Sequence, residues 1–300
     1  MNIGLVGLGK MGLNLGCSMI AKGHHVIGCD IDQYSLQKFE QAGGMASQSY
    51  QELAERLSVS PRIIWMMVPA GELVDQVIEA VLPHLSPGDI LIDGGNSFYK
   101  DSIRRYERVK QSGVHYLDIG TSGGTEGARN GACLMVGGEE DVYAVVEPLL
   151  RDISLAHGYL YTGPAGSGHF LKMVHNGIEY GMMQAIGEGF EILDKGPFSY
   201  DYEKVARLFN SGSVIRSWLM ELLEQAFSED PRLSTIKGVM HASGEGQWTV
   251  ETALDLKVSV PVIAMSLLMR YRSLDEDVFH GKVVAALRNQ FGGHAVEKAD

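Results

Sequence analysis

Residues 2–12 read Asn2-Ile3-Gly4-Leu5-Val6-Gly7-Leu8-Gly9-Lys10-Met11-Gly12, a short apolar run that passes without a break into G-x-G-x-x-G. The run Ile3–Val6 has the length of a buried strand, and a helical pattern follows over 11–22. A glycine-rich turn can be purely structural, but between a strand and a helix each glycine has a task. The first makes the turn, the second lets backbone N–H groups approach a pyrophosphate, and the third lets the helix pack closely with its positive end towards the phosphates. Gly7, Leu8, Gly9, Lys10, Met11 and Gly12 are therefore candidate dinucleotide-binding residues.

The next strand-like run, Val26–Cys29, ends at Asp30. A carboxylate roughly 20 residues past the glycines can accept hydrogen bonds from the adenosine ribose hydroxyls and would repel a 2′-phosphate. No lysine or arginine occurs between His24 and Gln37, so nothing nearby offers a charge-assisted partner to that phosphate. NAD is the expected cofactor. Asp32 either shares the ribose role or is an ordinary solvated residue.

Ile63–Val68, Ile90–Ile92 and Tyr116–Ile119 read as further strands, with helical patterns near 33–41, 49–57, 71–82 and 98–111. Such alternation specifies a mostly parallel sheet covered on both faces. Two more strand-like pieces, Cys133–Val136 and Tyr159–Tyr161, bracket a helix near 139–150. After Tyr161 a Gly/Pro loop, Gly163–Gly168, leads into a proline-free segment reaching about Lys195, and helical patterns follow near 201–210, 213–227, 248–256, 261–272 and 275–290. The expected architecture is an α/β Rossmann-type N-terminal domain, residues 1–162, followed by an all-α C-terminal domain, residues 163–300. Val68-Pro69-Ala70 and Asp93-Gly94-Gly95-Asn96-Ser97 lie at carboxyl ends of strands, where open α/β sheets bind ligands. Val68 and Asn96 are the candidate cofactor contacts here; Val68–Ala70 can equally be a strand-to-helix turn, whereas two glycines would hold Asn96 close to a ligand.

Composition narrows the function classes. The chain of 300 residues is 45% hydrophobic and 21% charged, ordinary for a globular protein of about two domains. Its 37 glycines exceed the usual share of roughly 7%; they are dispersed among periodic segments rather than in a low-complexity tract. With 25 basic against 37 acidic residues and a net charge of −12, nucleic acid and anionic membranes are poor partners. A small anionic substrate held by a few converging cations remains compatible. Cys17, Cys29 and Cys133 are widely spaced with apolar neighbours, so buried free thiols in a reducing compartment are expected. Nothing like a signal peptide precedes Asn2 and no apolar run approaches 18 residues, which points to the cytoplasm.

The segment Gly163–Asn176 reads GPAGSGHFLKMVHN and continues Gly177-Ile178-Glu179-Tyr180. If it is helical from about Gly168, then Lys172, His175, Asn176, Glu179 and Tyr180 form one stripe about 10 Å long. A solvated face is the usual reading of such a stripe. Its place after a glycine loop, where a helical domain must meet a cofactor domain, gives it a second reading: lysine and glutamate two turns apart could flank a small substrate as base and acid.

The pattern G-x-x-G-x-G-x-x-x-K-x-x-x-N, carried here by Gly163, Gly166, Gly168, Lys172 and Asn176, resembles the β-hydroxyacid dehydrogenases. The fuller K-M-V-H-N-G-I-E-Y from Lys172 to Tyr180 resembles the 6-phosphogluconate dehydrogenase family. Asp93–Ser97, Ser122-Gly123-Gly124 followed by Glu126–Arg129, and the tail Arg288-Asn289-Gln290-Phe291-Gly292-Gly293-His294 agree, so the resemblance spans nearly the whole chain. It implies oxidative decarboxylation of 6-phosphogluconate to ribulose 5-phosphate, as in the pentose phosphate pathway. Lys172 would act as base at the C3 hydroxyl, in a desolvated cleft that favours the neutral amine, and Glu179 as the acid that protonates the enediol. Asn96, Ser122, Gly123, Gly124, His175 and Asn176 would hold the carboxylate and hydroxyls. Tyr180, Arg272, Arg288 and His294 would hold the phosphate, the last two reaching in from a neighbouring subunit of a homodimer or larger homo-oligomer. Arg272 can instead be a surface arginine beside Arg270. No metal is implied.

The chain departs from the family's commoner long form in three places. It ends soon after one set of helices and so resembles the short form. The long form's K-G-T-G-K-W appears as Ser243-Gly244-Glu245-Gly246-Gln247-Trp248, which loses a lysine and a threonine and leaves free gluconate as an alternative substrate. The N-R-[ST] that binds the NADP phosphate is Asp30-Ile31-Asp32, in keeping with NAD. A simpler β-hydroxyacid dehydrogenase of the 3-hydroxyisobutyrate or tartronate semialdehyde type would share the glycines, Lys172 and Asn176, but would not require Glu179 or the Arg–His tail. A cofactor-binding protein without catalysis would not require Lys172 and Glu179.

Overall fold

The computed structural model describes residues 1–292 and 295–297. Packing divides it into two units, Met1–Asn176 and Gly177–Asp300. In the first, β1 (Asn2–Val6), α1 (Lys10–Ala21), β2 (His25–Cys29), α2 (Gln33–Gln41), β3 (Met45–Ser47) and α3 (Tyr50–Arg56) alternate. They are followed by β4 (Ile63–Met66), α4 (Glu72–Val81), β5 (Ile90–Asp93), α5 (Tyr99–Lys110) and β6 (His115–Ser122). Then come α6 (Gly124–Asn130), β7 (Ala132–Gly137), α7 (Glu140–Ile153), β8 (Ser154–Gly163) and the start of α8 (Ser167–Lys195).

The strands form one sheet in the order β3-β2-β1-β4-β5-β6-β7-β8. Every pairing is parallel except β6 with β7. The chain leaves β1 on one side towards β2 and later returns on the other side with β4, which pairs Ile3 with Ile63. That reversal opens a crevice at the carboxyl end of β1, the usual ligand site of an open α/β sheet. Side chains alternate between two cores, as the two-residue period of a strand requires. Ile63 and Trp65 join Ile3, Leu15, Phe39 and Leu149 in one; Ile64 and Met66 join Leu53, Val74 and Val109 in the other. Covering helices on both faces explain why these strands are unbroken apolar runs.

Three features depart from the pattern of the sequence. β3 is three residues long, with Met45 exposed, too short to show a period. α6, GTEGARN, carries two glycines and reads as loop. Cys133 is exposed, whereas Cys17 and Cys29 are buried, which corrects the expectation of three buried thiols. In β7, Cys133 lies between buried Ala132 and Leu134 and so faces the opposite side of the strand from them.

The second unit holds the rest of α8 with α9 (Tyr202–Asn210), α10 (Trp218–Glu229), α11 (Gly244–Asp255), α12 (Pro261–Ser273) and α13 (Phe279–Gly292). Tyr202, Ala206, Met220 and Phe227 form its core with Ile186, Phe190 and Leu193 of α8. No strand occurs among its described residues. Ser217 accepts the Met220 N–H and caps α10, which is why that helix starts later than the apolar pattern from 213. Among the described residues no helix is long and apolar enough to cross a membrane.

Candidate active site

The turn after β1 shows which glycines the fold needs and which it does not. Gly7 has φ 91°, a left-handed conformation that favours glycine. A Cβ on Gly12 would lie 2.0 Å from the Gly7 carbonyl oxygen, so the third glycine allows α1 to close on the turn. Gly9 differs: its φ is −61° and a Cβ there would meet nothing within 4 Å. The protein itself leaves that space open at the start of α1, where a pyrophosphate would sit. Asp30, one residue past β2, accepts the Leu8 N–H at 2.5 Å and the Asp32 N–H at 2.8 Å. Each carboxylate oxygen keeps a further lone pair for a ribose hydroxyl. Asp32 has a local role: it caps α2 by accepting from Tyr34 and Ser35 N–H. The Ser35 hydroxyl, and then the Tyr34 N–H, hold its carboxyl below the usual range. Lys10 is exposed and Met11 half-buried.

Val68 is half-buried beyond the end of β4. The loop after β5 is built on a buried polar frame. Asp93 accepts from the Ser97 hydroxyl at 2.8 Å, the Tyr116 hydroxyl at 3.2 Å and the Gly95 N–H at 3.2 Å. Burial, reinforced by Asp93, raises the Tyr116 phenol well above its ordinary value, so that hydroxyl stays a donor. Arg105 is fully buried; it donates to Ser97 Oγ at 3.1 Å, the Gly71 carbonyl at 2.8 Å and Asp75 at 2.8 Å. Burial alone would raise the Asp75 carboxyl, yet the Arg104 and Arg105 guanidiniums hold it well below the carboxylate range. This frame carries Asn96, whose Oδ1 is buried without a hydrogen-bond partner among the described residues. A buried acceptor left so is costly in a folded chain and marks a place where a ligand completes the bonding.

Helix α8 enters this unit through glycine contacts. A Cβ on Gly120 of β6 would lie 2.3 Å from Lys172 Cβ, and one on Gly168 would lie 2.5 Å from the Asp118 carbonyl. Without side chains there, α8 presses Lys172 directly against β6. Asp118 receives the helix end, accepting the Gly166 N–H at 2.6 Å and the His169 N–H at 2.8 Å. Burial raises its carboxyl, partly offset by His169 and those two N–H bonds.

Lys172, only 4% exposed, donates to Asn176 Oδ1 at 2.5 Å, and the same oxygen lies 2.9 Å from His175 Nδ1. An oxygen accepting from both makes Nδ1 the protonated ring nitrogen in neutral His175. Its Nε2, 3.3 Å from Ser122 Oγ, then accepts the serine hydroxyl. Ser122, His175, Asn176 and Lys172 thus form a continuous chain, not a solvated face. Gly123, with φ 109°, caps α6, and Gly124 opens it.

Within the second unit, Glu179 is half-buried and Tyr180 buried. Glu179 stands on α8 seven positions after Lys172, about two turns and so on the same side of that helix. The Tyr180 hydroxyl lies 2.9 Å from Ser243 Oγ and accepts the Ser243 N–H at 3.0 Å. The Arg270 guanidinium sits 3.5 Å from the Tyr180 ring centroid and donates to the His241 carbonyl at 2.9 Å. Arg272 is exposed and donates to the Asp275 carbonyl at 2.6 Å. Glu245 is buried in the first turn of α11. Arg288 is exposed on α13, and His294 lies outside the described residues. Among the described residues no group of three His, Cys, Asp or Glu could hold a metal.

No motif or spacing in the sequence marks Arg105, Asp118, His169 or Arg270 as part of the site. The first three act through partners distant in the chain, and only a charge or imidazole inside an otherwise buried pattern could have flagged them. Arg270 is two positions from Arg272, a difference of helical phase that contacts alone decide.

Comparison with known proteins bears on the same regions. The family model of the NAD binding domain of 6-phosphogluconate dehydrogenase matches residues 2–163, and that of the 6-phosphogluconate dehydrogenase C-terminal domain matches residues 168–291. The chain is 61% identical over 298 residues to YqeC of Bacillus subtilis strain 168, named as a provisional 6-phosphogluconate dehydrogenase, covering 99% of this chain and 100% of that one. It is 41% identical over 302 residues to the NAD(+)-dependent, decarboxylating 6-phosphogluconate dehydrogenase of Haloferax volcanii, covering 100% of both. Among solved structures it resembles Plasmodium falciparum 6-phosphogluconate dehydrogenase, which has been solved with NADP+ and with 6-phosphogluconate. The TM-score is 0.84 at 31% identity, covering 100% of this chain and 67% of that one.

Proposed function

The chain belongs to the 6-phosphogluconate dehydrogenase family, and on that premise we propose that it oxidises and decarboxylates 6-phospho-D-gluconate to D-ribulose 5-phosphate and CO2 with NAD. The observation that carries the reading is the hydrogen-bonded chain from Ser122 of β6 through His175 and Asn176 to the buried Lys172, the last three on the helix that bears Glu179.

When bound, NAD supplies the acceptor for the hydride leaving C3. Gly7–Gly12 and Asp30 hold its pyrophosphate and adenosine ribose; the open space at Gly9 and the free lone pairs of Asp30 support that assignment. Val68 lines the same crevice. Lys172 Nζ takes the C3 hydroxyl proton as the C3 carbonyl forms. The same ammonium then returns the proton to the carbonyl oxygen as the carboxylate departs as CO2, so that the electron pair comes to rest in an enediol. Glu179 protonates the carbon that lost the carboxylate. Asn96, Ser122, Gly123, Gly124, His175 and Asn176 hold the substrate carboxylate and hydroxyls; the unpartnered Asn96 Oδ1 supports this.

Tyr180, Arg272, Arg288 and His294 hold the phosphate, with Arg270 a further cation beside Tyr180. Arg288 and His294 come from the partner subunit of a homo-oligomer. Exposed apolar side chains on α12 and α13, among them Val262, Met265, Leu268, Val284 and Leu287, support such an assembly. Free gluconate is a second reading, favoured by one observation: Glu245 places a carboxylate where the family's long form has threonine. The enzyme works in the cytoplasm, a reading supported by its free thiols. Release of CO2 equimolar with NADH from 6-phosphogluconate tests the proposal, and NADH formed without CO2 would refute it.

A further inference from the structure

His169 is fully buried and bonded on three sides. Its backbone N–H donates to Asp118 Oδ2 at 2.8 Å. Its ring Nε2 lies 3.0 Å from the Gly95 carbonyl oxygen, and its Nδ1 lies 2.7 Å from Ser102 Oγ. A carbonyl oxygen can only accept, so Nε2 carries the hydrogen. In the neutral ring Nδ1 is then the acceptor and the Ser102 hydroxyl its donor. The other acceptor within reach of that hydroxyl, the Phe98 carbonyl, is 3.4 Å away and competes weakly.

One imidazole therefore joins three pieces of the fold: α8, which carries Lys172 one turn further on; α5, through Ser102; and the loop after β5, at the residue preceding Asn96. The same loop is gripped at Ser97 by Arg105, which also holds the Gly71 carbonyl. Asn96 has its Oδ1 buried without a hydrogen-bond partner among the described residues, so that oxygen does nothing to fix where the side chain stands. Its placement relative to Lys172 is left to the groups that hold the loop.

We propose that His169 is a positioning residue: by donating from Nε2 to the Gly95 carbonyl, it sets the Asn96 side chain at the distance from Lys172 that the substrate requires. The inference rests on the assignment of Asn96 and Lys172 given above. Its expected size follows from geometry, because a misplacement of about 1 Å at a reacting centre can cost 100-fold.

The test compares His169→Leu, His169→Gln and Ser102→Ala with the unmodified enzyme, measuring kcat and KM for 6-phosphogluconate, NADH affinity by fluorescence and Tm. His169→Leu should lower kcat/KM by about 100-fold while the NADH Kd stays within about threefold, because Gly7–Gly12 and Asp30 are untouched. His169→Gln, whose amide can still donate to Gly95, should recover at least about tenfold of that loss. Ser102→Ala, which loses the tautomer-fixing hydroxyl, should fall between the two and serves if the leucine variant does not fold. The proposal is overturned if kcat/KM stays within twofold in the folded variants, if glutamine does no better than leucine, or if NADH affinity weakens in step with kcat/KM. If the unmodified enzyme does not turn over 6-phosphogluconate, the functional reading fails separately. The positioning claim is then read from amide hydrogen exchange, which should quicken at Gly95 and Asn96 in the folded variant, not at Leu8; unchanged exchange there overturns it.

Discussion

Asp30 accepts the backbone N–H of Leu8 at 2.5 Å, so the carboxylate assigned to the adenosine ribose also fastens the turn assigned to the pyrophosphate. Charge and shape at this point act as one unit. Replacing Asp30 by Asn removes the charge from that hydrogen bond, and charge-assisted bonds contribute about 1.5–3 kcal/mol. The KM for NAD should rise about tenfold or more without a gain in NADP use, since no cation has been added. Ile31 is 98% exposed and free to become one. The combination Asp30→Asn, Ile31→Arg and Asp32→Ser keeps a capping side chain on α2 and should turn the preference towards NADP. Steady-state rates with both cofactors check this; an unchanged preference in the triple variant would show that selectivity lies elsewhere.

Gly9 separates the needs of the cofactor from those of the fold. A methyl group there meets no protein atom within 4 Å, so Gly9→Ala should leave Tm nearly unchanged. It should weaken NADH binding by about tenfold or more, because the space belongs to the ligand. Thermal unfolding and fluorescence titration read the two effects independently, and a parallel loss of both would assign Gly9 to the fold.

At Gly120 the expectation is the reverse. A Cβ would lie 2.3 Å from Lys172 Cβ, so Gly120→Ala must push α8 off β6 at the residue assigned as base. Overpacking of this kind costs about 1–3 kcal/mol, and kcat should fall further than stability alone accounts for. Matched Tm and kcat measurements decide this; normal turnover would mean that Lys172 need not sit against β6.

Lys172→Met should lower kcat by about 100- to 10,000-fold, the range of a lost acid–base group, with NADH binding kept. Retained turnover would refute the assigned base.

Two arginines compete for the phosphate role. Arg270 stacks on Tyr180, whereas Arg272 reaches a backbone carbonyl. Arg270→Ala should raise the KM for 6-phosphogluconate about tenfold or more, on the scale of a charged hydrogen bond, and should not change the KM for gluconate. The same assay on Arg272→Ala ranks the pair. An Arg270 variant with unaltered selectivity would limit that residue to packing on Tyr180.

The sheet was legible because strands covered on both faces are unbroken apolar runs, as in Ile63–Met66. Asp30 and the Lys172 stripe were legible because their spacing from the glycines carries their geometry. β3 and α6 were not, being too short or too rich in glycine to show a period. The frame beneath the site was also hidden. Arg105 with Gly71, and His169 with Gly95, are pairs that only the folded chain brings together. Likewise Cys133 is exposed between two buried neighbours, because the apolar run of β7 does not show which of its two sides is left uncovered.

NAD-linked decarboxylation of a phosphorylated aldonate is tested by one assay. Initial rates are measured with 6-phosphogluconate and with gluconate, each with NAD and with NADP, while CO2 is collected. NAD with 6-phosphogluconate should exceed every other combination in kcat/KM by at least about tenfold, the equivalent of 1.4 kcal/mol, with one CO2 released per NADH. Equal use of NADP, a preference for gluconate, or NADH without CO2 would contradict it.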